Sequence, residues 1–309
     1  MLYLRHMGGQ RTTGRLLHKW RAQRGFTIVE VLIVLAITGA LFVAAAVMIS
    51  GSQNRAGFNQ AVQQLQSQIQ QVMNDVSTGY FPNSANFQCS ANAGGPVVLS
   101  SVGANGQGAN AGCIFAGKVL SFQLGTSDPQ KYGIFTVAAA QKNAAGQEVT
   151  SLATAAPKVV APGTSSPAGF PDITTTTVLQ NGLAVSTHAT PSNNMAYNNG
   201  GGDVAVGAVA IVPSFASYAA NGNITSGSQQ LSIIPITGTS LGMDAKPAAD
   251  AINSNLAASA GSIANPTNGV SICFASGGTD ESGLITIGGA SHPLSVTLKI
   301  SEGSKTCGK

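Results

Sequence analysis

The first eighty residues carry two hydrophobic patterns in succession. From Phe26 to Ile49 the chain is apolar on every side, with Glu30 its one charged residue. As a helix rising ~1.5 Å per residue, this stretch reaches across a bilayer core of roughly 30 Å. The segment Gly51–Gly57 is polar and marks a place for a bend. After it, apolar residues fall at Phe58, Val62, Leu65, Ile69, Val72 and Val76, with Gln and Asn between them. Alternating steps of four and three residues make one face of an amphipathic helix. The stripe is too short for a coiled-coil seam, and Gly79 and Pro82 end it. We read both patterns as one helix of ~75 Å, apolar all round and then amphipathic, packed against a sheet. Two helices joined by a loop are the alternative.

Beyond Tyr80 the period changes. Strand-like runs cover Val97–Val102, Ile114–Leu124, Tyr132–Ala138, Thr174–Leu179, Leu183–Thr187, Val204–Val212 and Leu231–Ile236. Asn181-Gly182, between two of these runs, predicts a hairpin, because a tight hairpin turn needs residues that accept positive φ. Near the C-terminus, Val270–Ala275, Leu284–Ile287 and Leu294–Ile300 alternate with glycine-rich turns and predict a meander. Ala155–Pro171, with its prolines, glycine and serines, and Ser192–Gly202 read as loops, and the alanine-rich Asp244–Ala264 reads as a short helix. No fixed-period repeat is present. The chain thus divides into residues 1–25, an apolar helix at 26–50, its amphipathic continuation at 51–79, and a β-rich head at 80–309. The excess length of the head predicts surface decoration or a second β lobe.

Charge sharpens this picture. Charged residues make up 8% of the chain, about a third of the usual share. Such a composition suits an extracellular β-rich surface that packs closely against copies of itself. The formal net charge of +4 is concentrated at the start. Arg5, Arg11, Arg15, Lys19, Arg21 and Arg24 precede the apolar stretch without any acidic residue, leaving nine basic against eleven acidic residues beyond it. The basic segment predicts a cytoplasmic N-terminus. Beyond it the chain lacks the clustered Lys and Arg that phosphate binding needs, which argues against nucleic acid as a partner.

Four cysteines, Cys89, Cys113, Cys273 and Cys307, lie past the apolar helix, and none forms a Cys-x-x-Cys. An even number there predicts disulfides in an oxidising compartment. Of the three possible pairings we favour Cys89–Cys113 and Cys273–Cys307. Each closes a loop of a few tens of residues and contributes about 3–4 kcal/mol in the chain-entropy view. Four buried free thiols are the alternative. With only His188 and His292 beyond residue 25, no zinc site is expected.

A secretory signal is cut after its apolar stretch. Here the suggestive site, Gly25-Phe26, precedes it, so cleavage there keeps the helix in the mature chain. A basic leader, Gly25, Phe26, Thr27, Glu30 and an uninterrupted apolar run with Gly39 resemble the signal of type IV prepilins and pseudopilins. That resemblance implies cleavage between Gly25 and Phe26 by prepilin peptidase and N-methylation of Phe26. It further implies an α+β, pilin-like fold: a long N-terminal helix packed on a C-terminal antiparallel β-rich head, often with a C-terminal disulfide loop. A carboxylate within an apolar helix costs around 2.5–3.5 kcal/mol on insertion scales. The resemblance supplies Glu30 with a partner, the amine of Phe26 freed by cleavage, in the same or a neighbouring subunit. Glu30, with Thr27, is then assigned to the register of assembly. A signal anchor with Glu30 reaching back to the interface is the alternative. In pilins a proline often follows two turns past the glycine. Here Ala44-Ala45-Ala46-Val47 stands in its place.

No nucleophile–base set appears. His188 and His292 sit in strand-like or turn contexts and read as structural. Asp280-Glu281 lies in a Gly-rich turn, and acidic turns can supply oxygen ligands to calcium; it lacks EF-hand spacing, so no metal, cofactor or catalytic residue is expected. Lys305 and Lys309 are too few to mark a DNA contact. The expected role is a major or minor pilin, anchored by one helix in the cytoplasmic membrane before assembly and held in an extracellular filament afterwards. Its expected partners are other pilins, prepilin peptidase and an inner-membrane assembly platform. A pseudopilin of a secretion or DNA-uptake system, or a signal-anchored adhesin, are the alternatives.

Overall fold

A computed structural model describes residues 25–79, 87–91, 97–101, 113–122, 130–149, 154–159, 174–186, 195–198, 203–213, 231–237, 245–262, 268–289, 294–303 and 307. The chain forms two compact units, Met1–Ser50 and Gly51–Lys309. The first helix, α1 (Ile28–Thr78), runs from one into the other. Helical structure continues through Gly51–Gly57, where the sequence marked a bend. Gly79, at a φ of 68°, ends the helix with its amide bonded to the Val76 carbonyl. Glycine takes that left-handed conformation without a Cβ clash.

In the second unit, α1 is followed by β1 (Phe87–Ala91), β2 (Val97–Ser101), β3 (Cys113–Phe122), β4 (Lys131–Ala140), β5 (Lys158–Val159), β6 (Thr174–Val178) and β7 (Leu183–Val185). Then come β8 (Met195–Asn198), β9 (Asp203–Ala205), β10 (Ala208–Pro213), β11 (Leu231–Ile236), α2 (Ala245–Ser262), β12 (Val270–Ser276), β13 (Glu281–Ile287) and β14 (Val296–Glu302). The fold is α+β, a long N-terminal helix followed by antiparallel sheets. β1 and β2 form a ribbon. One six-stranded sheet runs β11-β10-β3-β4-β5, with β6 also on β4. The other runs β14-β13-β12-β8-β9, with β7 also on β12.

The amphipathic half of α1 is the spine of the main core. Phe58, Val62, Leu65, Ile69, Val72 and Val76 are buried among Leu120, Phe122, Val209 and Ile211 of the first sheet and Ile272, Phe274, Ile285 and Ile287 of the second. Alternate residues of the first sheet point the other way. Val119, Phe135, Val137, Ala208, Ala210, Val212, Ile234 and Ile236 form a second core with Ala249, Ile252 and Leu256 of α2. This sheet is therefore buried on both faces, which is why Ala208–Pro213 reads as an unbroken apolar run rather than an alternation.

Three expectations need correction. Gln180–Leu183 does form a tight turn. Asn181 and Gly182 have φ of 53° and 69°, and the Leu183 amide donates to the Gln180 carbonyl at 3.0 Å. Yet the flanking strands do not pair: β6 joins β4 and β7 joins β12. The turn passes the chain from one sheet to the other, because the buried Leu183 and Val185 belong to the α1-facing core. Likewise, Val204–Val212 is two strands in two sheets, broken at Val206-Gly207. Within the expected loops, Met195–Asn198 is a strand with Met195 and Tyr197 buried, and Lys158–Val159 pairs with β4. β12, β13 and β14 form the antiparallel meander.

A disulfide joins Cys273 of β12 to Cys307, their Cα atoms 5.7 Å apart across 34 positions of sequence. Cys113 is disulfide-bonded as well. The side chain of Cys89 lies outside the described residues.

Two predictions follow from this packing. Gly117, at a φ of 123° in the bulge of β3, has no room for a Cβ, which would collide with the Ile211 carbonyl oxygen of β10. Gly117→Ala is expected to cost roughly 1–3 kcal/mol or more in urea unfolding; an unchanged midpoint would show that the bulge relaxes freely. Replacing Cys273 and Cys307 by Ala should cost about 3 kcal/mol, read from the same transition with the other cysteines intact.

Candidate functional site

The segment before α1 is built by local capping. Thr27 is the N-cap: the Glu30 amide donates to Thr27 Oγ1 at 3.3 Å and to its carbonyl at 3.0 Å, and the Val31 amide donates to the same carbonyl. Amides of the first turn lack partners within the helix, and a Thr side chain supplies one. Thr27-x-x-Glu30 has the spacing of a capping box, a signal the reading of Thr27 as a register residue passed over. Glu30 also stands at the positive end of the helix dipole. Gly25 and Phe26 lie outside the helix, and Phe26 is 79% exposed.

Behind the cap, α1 presents apolar side chains on every side. Ile28, Val29, Leu32, Leu35, Ile37, Leu41, Phe42 and Met48 are all exposed in this unit. The helix is long and apolar enough to cross a membrane. Its hydroxyl groups are satisfied within the helix: Thr38 Oγ1 donates to the Val34 carbonyl at 2.8 Å and Ser50 Oγ to that of Val47 at 2.9 Å. That removes the penalty of carrying an unbonded polar group into hydrocarbon. Gly39 has open space where a Cβ would stand, so its backbone is bare for close approach.

The second unit carries polar contacts that fasten α1 to its sheets. Lys118 Nζ lies 2.6 Å from Asp75 Oδ2, and Gln66 Nε2 donates to the Val296 carbonyl at 2.8 Å. Tyr132 donates its hydroxyl to Gln68 Oε1. Burial pushes the phenol of Tyr132 upward, against a hydrogen bond with Thr177 that lowers it, and burial raises that of Tyr197 too. Asn181 Nδ2 donates to the Gly57 carbonyl at 3.1 Å. Beside that contact lies a cleft of about 510 Å³ lined by Gln53, Asn54, Gln130, Asn181, Ser276 and glycines. Its lining offers no titratable side chain for proton transfer.

Among the described residues, no three His, Cys, Asp or Glu side chains gather into a metal-binding group. His188, His292, Lys305, Lys309 and the basic residues at 5–24 lie outside the described residues. Asp280 falls in the turn between β12 and β13, whereas Glu281 is the first residue of β13, buried and facing Arg55 of α1 at 3.7 Å.

Residues 20–46 match the family model of the prokaryotic N-terminal methylation motif. No curated protein and no solved structure matches the chain. The matched stretch holds the candidate cleavage site, the Thr27 cap, Glu30 and most of the exposed apolar helix. The chain therefore carries a type IV prepilin- or pseudopilin-type signal at its N-terminus, the mark of a pilin-like protein.

Proposed function

We propose that this chain is a structural subunit of a type IV pilus-like filament, cut between Gly25 and Phe26 and assembled through the apolar part of α1. The observation that carries this reading is the fully exposed apolar helix directly behind the matched signal. Burying one large aliphatic side chain is worth about 1.5–3 kcal/mol. A membrane supplies that burial first, and the same part of α1 in other subunits supplies it afterwards. The apolar helix is thus both the anchor and the filament core. The basic residues before it keep the N-terminus cytoplasmic and place the head on the far side. Prepilin peptidase, an inner-membrane assembly platform and other pilins are the partners this reading requires. Pilus subunits and pseudopilins share this signal and its chemistry.

Two features of the site support the processing step. The Gly25–Phe26 bond stands two residues ahead of the first helical residue, so a peptidase meets it without unwinding α1. Cleavage would leave the new amine of Phe26 at the head of the helix and Glu30 in its first turn. In an apolar surround the charged pair is far less costly than Glu30 alone. Pairing with the amine of the same or an incoming subunit fixes which turn of one helix sits beside the next.

Glu30→Val should leave membrane insertion intact while lowering filament yield roughly tenfold or more, a loss of at least about 1.4 kcal/mol per subunit. Wild-type yield from that variant would remove the register role. Gly25→Leu should leave the leader attached. Intact-mass analysis would then find residues ahead of Phe26 retained, whereas wild-type protein should begin at an N-methylated Phe26.

A further inference from the structure

Negative charge gathers at one end of the second sheet, in a chain that holds only eleven acidic residues. Glu281 and Glu302 stand directly opposite one another in the β13–β14 register, with Asp280 next in sequence. Opposed residues of an antiparallel pair share a face with Cβ atoms about 4.5–5.5 Å apart, where like charges repel. Glu302 is exposed, but Glu281 is only 4% exposed. The cation that faces it, Arg55, is held loosely. Its Nε is 3.7 Å from Glu281 Oε1, beyond hydrogen-bond reach, and its side chain is 64% exposed.

The other carboxylate oxygen, Glu281 Oε2, is buried and has no hydrogen-bond partner among the described residues. Two more buried oxygens share that condition, Thr279 Oγ1 and Asn59 Oδ1. Thr279 lies in the turn two residues before Glu281, and Asn59 is one helical turn beyond Arg55 on α1. The packing brings these segments together. A Cβ at Gly283, the next residue on Glu281's face, would lie 3.2 Å from Val62 and 3.5 Å from Phe58, which flank Asn59 on α1. Buried polar atoms are nearly always partnered, and a buried carboxylate is paired or bound to a metal.

We propose that Glu281, Thr279 and Asn59 contribute oxygens to a site for a hard divalent cation, calcium by preference, at the junction of the β12–β13 turn with α1. The donors are all oxygen, which excludes soft metals. One buried carboxylate with neutral oxygens and water suits the flexible shell of calcium better than the strict octahedron of magnesium. The ion offsets the repulsion between Glu281 and Glu302 and fastens the turn to the helix. So few charged ligands place its affinity in the range of about 10⁻⁴–10⁻³ M found in extracellular modules. In the sequence the acidic Asp280-Glu281 pair marks this turn as a candidate source of calcium ligands, but Thr279 and Asn59 are neutral and lie far apart in the chain, so no ligand spacing is recognisable there.

The test is thermal unfolding of the full chain in detergent micelles, with about 10 mM CaCl₂, MgCl₂ or chelator alone. Calcium should raise the melting midpoint by a few degrees, more than magnesium does. Glu281→Gln and Thr279→Val should each abolish the rise. If Glu281→Gln does not fold, Thr279→Val with terbium luminescence, quenched by calcium in the wild type alone, decides the matter. Absence of any calcium-dependent shift in the wild type, or an equal shift in Thr279→Val, overturns the proposal.

Discussion

Burial of one stripe of α1 organises the head. Phe58, Val62, Leu65, Ile69, Val72 and Val76 lie against strands from both six-stranded sheets. Each large side chain of the stripe contributes about 1.5–3 kcal/mol by leaving water. Both sheets take their inner faces from that contact. Two of the sheet-changing points, at Asn181-Gly182 and at Val206-Gly207, follow from it, because the chain has to cross between sheets to put Leu183, Val185, Val209 and Ile211 into one core. Polar contacts at the rim, Lys118 with Asp75 and Gln66 with the Val296 carbonyl, then fix the azimuth of the helix.

The same helix carries a second, unmet demand. Its apolar half has no burial within its own unit, while its hydroxyls and backbone are already satisfied. Such a segment has the length and apolar surface to lie in a bilayer. Its polar end is equally specific: a Thr cap, then a carboxylate three residues on. The cap sets where the helix starts and leaves Gly25-Phe26 outside it. The methylation motif over residues 20–46 falls on this capped, apolar start of the helix.

Scarcity of charge gives each ionic contact in the head more weight. Asp75 and Lys118 pair with one another, and Glu281 reaches Arg55 across a long gap. Residues able to satisfy a buried carboxylate are few, and among the described residues Glu281, at the acidic end of β13 and β14, keeps one oxygen unmet. The disulfide between Cys273 and Cys307 acts on the same meander through covalent closure rather than charge.

The local patterns were legible in the residues alone. The apolar run after Gly25-Phe26, the stripe from Phe58 to Val76, the terminal meander and the helix within Asp244–Ala264 all follow from short-range period and composition, which do not depend on what packs outside them. The Thr27 cap left a signal in the spacing Thr27-x-x-Glu30 that the reading of these residues as register residues did not use. Tertiary structure decided the rest. Asn181-Gly182 specifies its turn, since two positive φ values are a local matter, but which strands pair is set by long-range burial. The run Val204–Val212 hides a change of sheet for the same reason. Nothing in the sequence separates the α1-facing from the α2-facing side of Ala208–Pro213, because both faces are apolar. And the unmet Oε2 of Glu281 arises only when the start of β13 is folded against a helix more than two hundred residues away, where burial removes the water that would otherwise satisfy it.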